Sequence, residues 1–109
     1  MLQPIDTEAV VKHRFPEAVV LIVSKDKNGK VNFCPVGFFS LVAWKPKVWL
    51  VALYKKHFST KVIKETKEFV LCLPSIGQAQ DVLYCGSVHG WTVDKTKHVA
   101  FQISTIEVC

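Results

Sequence analysis

With 109 residues, 50% of them hydrophobic and 21% charged, the chain has material for one domain with a modest core and none for a second. Lys or His interrupts every apolar run before it reaches the roughly 18 residues a membrane span requires, and residues 1–16 lack the basic start, apolar block and cleavage site of a secretory leader, so a soluble cytoplasmic protein without membrane association is expected. The formal charge of +5 rests almost wholly on Lys, Arg14 being the lone arginine; with no basic helix carrying exposed aromatics, nucleic acid is not expected, and a small anionic ligand accounts for the charge as well.

Asp6 can cap a short helix over residues 6–13, after which Phe15-Pro16 forces an extended or turning backbone. The run Ala-Val-Val-Leu-Ile-Val at 18–23 is β-branched and too short for a buried helix, which predicts a central strand. Residues 24–30 are polar and contain Asn28-Gly29, a dipeptide that accepts positive φ readily, so the chain should pair back from Val31 as a hairpin. Trp44-Lys45-Pro46-Lys47 punctuates the sequence before a third strand over 48–54. Ser59 or Thr60 can cap a helix reaching Thr66, and residues 69–73 return to strand until Pro74 stops it. Ser75 and Gln78 have capping-box spacing ahead of a helix that Gly86 is placed to end. Val99, Phe101 and Ile103 alternate with smaller or polar residues, the period of a half-buried strand. Strands dominate this order, which favours a small barrel or sandwich over a doubly wound sheet.

Motifs for familiar chemistries are missing. No glycine-rich phosphate loop follows a strand, and His13, His57, His89 and His98 show neither i, i+4 pairing nor a neighbouring nucleophile motif. Cys34, Cys72, Cys85 and Cys109 lack CxxC or zinc-ribbon spacing; three of them lie in or beside apolar segments, where a free thiol acts as a small buried hydrophobe. No metal is expected.

Three segments could hold a ligand. In Tyr54-Lys55-Lys56-His57-Phe58-Ser59-Thr60, cations and hydroxyls lead into a helix start, whose free N–H groups and partial positive charge suit a phosphate. The plainer account is that Ser59 or Thr60 only caps the helix while the lysines are solvated. In Asn32-Phe33-Cys34-Pro35-Val36-Gly37-Phe38-Phe39-Ser40, Pro35 and Gly37 interrupt an ordinary strand, which either lets backbone approach a planar ligand or marks a bulge filled by Phe38 and Phe39. The stretch from His89 through Trp91 to Lys95 is either a ligand-facing loop or a surface connection.

Taken in order, the apolar strand, the Asp26 to Lys30 turn, Asn32, Phe38-Phe39-Ser40, Pro46, Lys55 to Thr60, Glu68-Phe69-Val70, Leu73-Pro74-Ser75, Gly86 and Val93-Asp94-Lys95 resemble the flavin reductase-like family of FMN-binding split barrels, flavoredoxins included. The resemblance spans nearly all of residues 18–95. It implies a mainly β fold with short helices, a split β-barrel, with FMN bound at the interface of a homodimer. Carried over position by position, it places Pro35, Val36, Gly37, Phe38, Phe39 and Ser40 along the isoalloxazine ring. Lys55, Lys56, Ser59 and Thr60 fall to the phosphate, and Asn32, Tyr54, Phe58, Cys72, His89, Trp91 and Lys95 complete the cofactor-binding set. The implied role is electron transfer from reduced nicotinamide, NAD(P)H, or a protein donor through FMN to an acceptor; no catalytic side chain is assigned.

The chain departs from the family pattern at Pro35, Tyr54 and Cys72, where Thr, Arg and Asn are common, and at His89 and Trp91, which replace a Ser and a basic residue. Each of the first three changes removes a polar ligand contact. Because the chain ends near where later family strands begin, a single shortened flavin reductase-like domain over residues 1–109 is expected. Two other readings compete with it: a flavin or haem carrier without turnover, with Cys34 or His89 as axial ligand, and a degenerate paralogue that acts by pairing through open sheet edges.

Overall fold

The computed structural model describes residues 2–103. Its centre is the strand β1, Val20–Lys25, which pairs antiparallel with β2, Val31–Val36, on one side and with β5, Val70–Cys72, on the other. A second, two-stranded sheet is formed by β3, Phe39–Trp44, and β4, Lys47–Val51. Three helices complete the fold: α1, Thr7–Lys12, α2, Phe58–Thr66, and α3, Ala79–Ser87.

The continuous apolar run of β1 follows from its burial on both faces. Val20 and Ile22 join Cys34 and Val36 on one face, where Phe39, Val51 and Ile63 cover them; Leu21 joins Phe33 and Cys85 on the other, under Tyr84 and Phe101. The second sheet and α2 thus close the first face, and α3 with the last described residues closes the second. The β1–β2 turn forms as expected: Gly29 takes a positive φ of 84°, and the Asp26 carboxylate accepts from the backbone N–H of Asn28 and of Lys30, each at 2.9 Å.

Several sequence expectations need correction. The first strand begins two residues later than expected, at Val20. Pro35 does not interrupt β2, because β2 is an edge strand and a proline there can turn its missing N–H away from the ladder; the break comes at Gly37. Residues 39–44 form a strand that was not anticipated, paired with β4 around the Lys45-Pro46 turn. The capping expectation for α2 fails as well. His57 holds the N-cap position, Ser59 and Thr60 lie inside the first turn, and no side chain caps the helix. The capping box at Ser75 and Gln78 does form, with Ser75 N–H donating to the Gln78 side chain at 2.9 Å, and it opens a 3-10 turn that runs into α3. Gly86 lies within the last turn of α3, which ends one residue later when Val88 turns extended.

Residues 99–103 are not a strand, since no described strand pairs with them; their alternation survives as packing, with Phe101 set edge-on against Phe33 at 5.1 Å. Cys34 and Cys85 are buried and Cys72 half-buried, all as free thiols, and Cys109 lies outside the described residues. No helix among the described residues is long and apolar enough to cross a membrane.

The radius of gyration is 16.1 Å, against about 13 Å for a compact domain of this length. Helix α1 buries none of its side chains, and Trp44, Val48, Trp49 and Leu50 stand exposed on the second sheet. Stability therefore concentrates around β1. Replacing the fully buried Ile22 with Ala should cost about 2–4 kcal/mol, whereas Val10→Ala on α1 should cost less than about 1 kcal/mol; urea unfolding followed by circular dichroism measures both.

Candidate functional site

The start of α2 is fastened to β2 by a bond between two buried polar side chains. Asn32 Nδ2 donates to Ser59 Oγ at 2.8 Å, and the two residues are only 2% and 1% exposed. Leaving either group unpaired at that depth would cost about 1–3 kcal/mol, so the pair fixes which turn of α2 faces β2.

The loop after α3 completes the arrangement. Gly90 sits so close to the pair that a Cβ there would come within 2.5 Å of the Asn32 side-chain oxygen Oδ1 and 2.7 Å of the Phe58 ring. Lys30 reaches across from the β1–β2 turn, donating to Gly90 O at 2.7 Å while its ammonium lies 4.8 Å from the Phe58 ring centroid. From the other side, the Trp91 indole N–H donates to Lys56 O at 3.1 Å.

A cleft of about 80 Å³ remains between these parts. Of the residues expected to bind a cofactor, it brings together Asn32, Pro35, Phe58, Ser59, His89 and Lys95. The others lie outside its lining. Tyr54, Lys55 and Lys56 form the exposed turn that enters α2, and Thr60 donates its hydroxyl to Tyr54 O at 2.8 Å. Val36 is buried in the core, Gly37 and Phe39 are half-buried, and Phe38 and Ser40 are exposed where β2 gives way to β3. Cys72 lines a separate apolar cavity of about 250 Å³ with Leu21, Phe33 and Val70. Trp91 lies on the outer side of the α2 start.

Lys95 turns inward. Only 4% exposed, it donates through its ammonium to Phe33 O at 2.7 Å and Cys85 O at 2.9 Å, tying β2 to α3. Burial pulls its pKa below the usual lysine range, with the neighbouring Cys34 and Cys85 opposing that pull. Burial also pushes the Cys34 and Cys85 thiols up, the Ser59 hydroxyl opposing this at Cys34 and the Lys95 ammonium at both. Both cysteines are thus held as thiols, poor nucleophiles at neutral pH.

Three residues at the site carried no distinct signal as ligand or positioning groups. Lys30 belongs to an ordinary polar turn, and the need for glycine at 90 arises from a contact with residues far away in the chain. His57 lines the cleft at the N-cap of α2, and its Nδ1 is buried without a protein partner. No group of three or more His, Cys, Asp or Glu side chains among the described residues could hold a metal ion.

What the arrangement offers chemically is an uncapped helix start of nine residues, with two exposed lysines immediately before it and a glycine-backed cleft beside it. Such a start presents unpaired N–H donors and partial positive charge to an anion.

Comparison with known proteins identifies the family and the fold. The model of the flavin reductase like domain matches residues 12–108, so the chain belongs to that family. The flavoredoxin of Methanosarcina acetivorans superposes with a TM-score of 0.74 at 29% identity, over 87% of this chain and 49% of its own. The flavoredoxin of Desulfovibrio vulgaris (Miyazaki F) gives 0.72 at 22% identity, over 76% and 45%. An FMN-binding protein from Thermus thermophilus, solved with bound 1-cyclohex-2-enone, gives 0.75 at 23% identity, over 89% and 52%. The fold is accordingly the mainly β split barrel of these proteins, built among the described residues from a three-stranded and a two-stranded sheet. The chain spans about half the length of the solved structures it matches. No curated protein sequence matches it.

Two measurements probe the site without any ligand. Gly90→Ala should lower the urea midpoint and move the amide resonances of Asn32, Phe58 and Ser59 together, because the new methyl must push apart the groups that hold the α2 start. Asp94 accepts from Thr96, whose hydroxyl is the main cause holding the carboxyl below the usual carboxylate range. The sign follows: a lowered folded pKa stabilises above the unfolded carboxylate value of about 4, and the effect is lost as pH falls through the folded value. The stability gap between wild type and Asp94→Asn should therefore be present at pH 7 and close on acidification.

Proposed function

We propose that this chain is a single flavin reductase-like domain that binds FMN and passes electrons from a reduced nicotinamide or protein donor to an acceptor. The observation that carries the reading is the uncapped start of α2 beside the exposed Lys55 and Lys56. Phosphate is the part of FMN that these groups suit. The backbone N–H groups of Phe58, Ser59 and Thr60 would hold it, with the two lysines adding charge. The family match and the flavoredoxin and FMN-binding neighbours support the choice of cofactor.

When bound, FMN would supply the redox chemistry, and the chain would supply position and exclusion of water. Pro35 to Ser40 is the segment for the ring, its backbone opened at Gly37 where β2 gives way to β3. The cleft of about 80 Å³ admits a phosphate-sized group, whereas pockets that enclose whole ligands run to roughly 300–1,000 Å³. The ring must therefore be covered from elsewhere. A second copy of the chain is the proposed cover, because the second sheet leaves Trp44, Trp49 and Leu50 exposed. The free thiols of Cys34, Cys72 and Cys85 favour a reducing, cytoplasmic setting.

Purified protein titrated into FMN should quench flavin fluorescence to saturation. Lys55→Ala should weaken FMN about five- to tenfold and leave riboflavin within about twofold, since only FMN carries a dianion. Absence of quenching by either flavin would overturn the reading, and equal losses for both would move the phosphate away from α2. Light scattering behind size exclusion should return twice the chain mass when FMN is present.

A further inference from the structure

Trp91 is pinned on two sides and open on a third. Its N–H is spent on Lys56 O at 3.1 Å, and the ring of Phe58 meets it edge-on at 5.2 Å and 74°. Even so, the residue stays 53% exposed. An indole bonded through its only donor and still half exposed has π surface left to offer. Positive charge is already placed at that ring: Lys61 Nζ lies over it, 5.3 Å from the centroid, and Lys56, which supplies the carbonyl, is itself exposed. Glu65 opposes this only weakly: its Oε1 is 4.0 Å from Lys61 Nζ across an exposed i, i+4 pair, a contact worth little in water. Lys30, on Phe58, is already committed to Gly90 O.

We propose that Trp91, Lys56 and Lys61 form a stacking platform for purine nucleotide phosphates. A heteroaromatic ring carrying phosphates matches both parts of the surface, the ring lying on the indole and the phosphates against the ammonium groups. The platform is not the FMN cleft, since Trp91 does not line it; the two adjoin at Gly90 and Phe58, and Lys56 borders both. A free adenine nucleotide and the adenosine half of a nicotinamide dinucleotide present the same chemistry. As a docking point for an electron donor the platform rests on the flavin reading above; as a binding surface it does not.

Isothermal titration of the full chain with ADP, NADPH, adenosine and tripolyphosphate tests the proposal. ADP and NADPH should bind, while adenosine and tripolyphosphate, each holding one half of the chemistry, should be about tenfold weaker or worse. NADPH binding more tightly than ADP identifies the dinucleotide as the source, and equal affinities identify the free nucleotide; both orders support the platform. Trp91→Leu should weaken ADP at least about tenfold, and Lys61→Ala about threefold with a shallower salt dependence. Unchanged ADP affinity in a folded Trp91→Leu variant overturns the proposal. Should that variant not fold, the Trp91 indole N–H resonance of the wild-type protein decides: it should shift under saturating ADP, and an unmoved signal overturns the proposal. FMN fluorescence titrations of the same preparations separate the two readings, because loss of flavin binding with nucleotide binding intact sinks only the flavin reading, and the reverse sinks only the platform.

Discussion

A hydrogen bond between Asn32 and Ser59, buried out of reach of water, decides where the first turn of α2 sits. Everything proposed for the site depends on it. If α2 were free to slide along β2, its N–H groups, the lysines before it and the Gly90 loop would not converge. The bond is directional and its partners have no water to turn to, so it selects one arrangement where apolar packing alone would tolerate several. Gly90 enforces the same choice sterically, and Lys30 and Trp91 clamp the loop from opposite sides.

Stability and function occupy different parts of the molecule. The core gathers around β1, buried on both faces, and Lys95 reinforces it from inside by bonding to carbonyls of β2 and α3. The groups proposed to face a ligand stand on the turn into α2 and on the loop after α3, at the edge of that core. Such a division lets the exposed Lys55 and Lys56 vary in chemistry without loss of the fold. The surfaces that the chain leaves uncovered, on α1 and the second sheet, account for a radius of gyration above that of a compact domain.

Local chemistry was legible in the sequence wherever it acts within a few residues. Asn28-Gly29 announced the hairpin, Ser75 and Gln78 announced their capping box, and the β-branched run at 18–23 announced the central strand. What escaped notice was set by partners distant in the chain. Residues 39–44 make a strand only because β4 folds back on them, and residues 99–103, which carry a clean alternation, have no described strand to pair with. Ser59 and Thr60 looked like caps since they are good capping residues at a helix start; instead Asn32 claims one and Tyr54 O the other. The site was half legible. Its cation and helix start could be read from Lys55 to Thr60, while Gly90 and Lys30 emerge only in three dimensions.

The central claim is that the uncapped first turn of α2 grips a dianion. Backbone amide resonances of Phe58, Ser59 and Thr60 report on it directly when the protein is titrated with FMN and, separately, with riboflavin. The account predicts large shifts of these three amides with FMN and small ones with riboflavin. Amides at the α2 start that stay still under saturating FMN, while resonances elsewhere move, would contradict it.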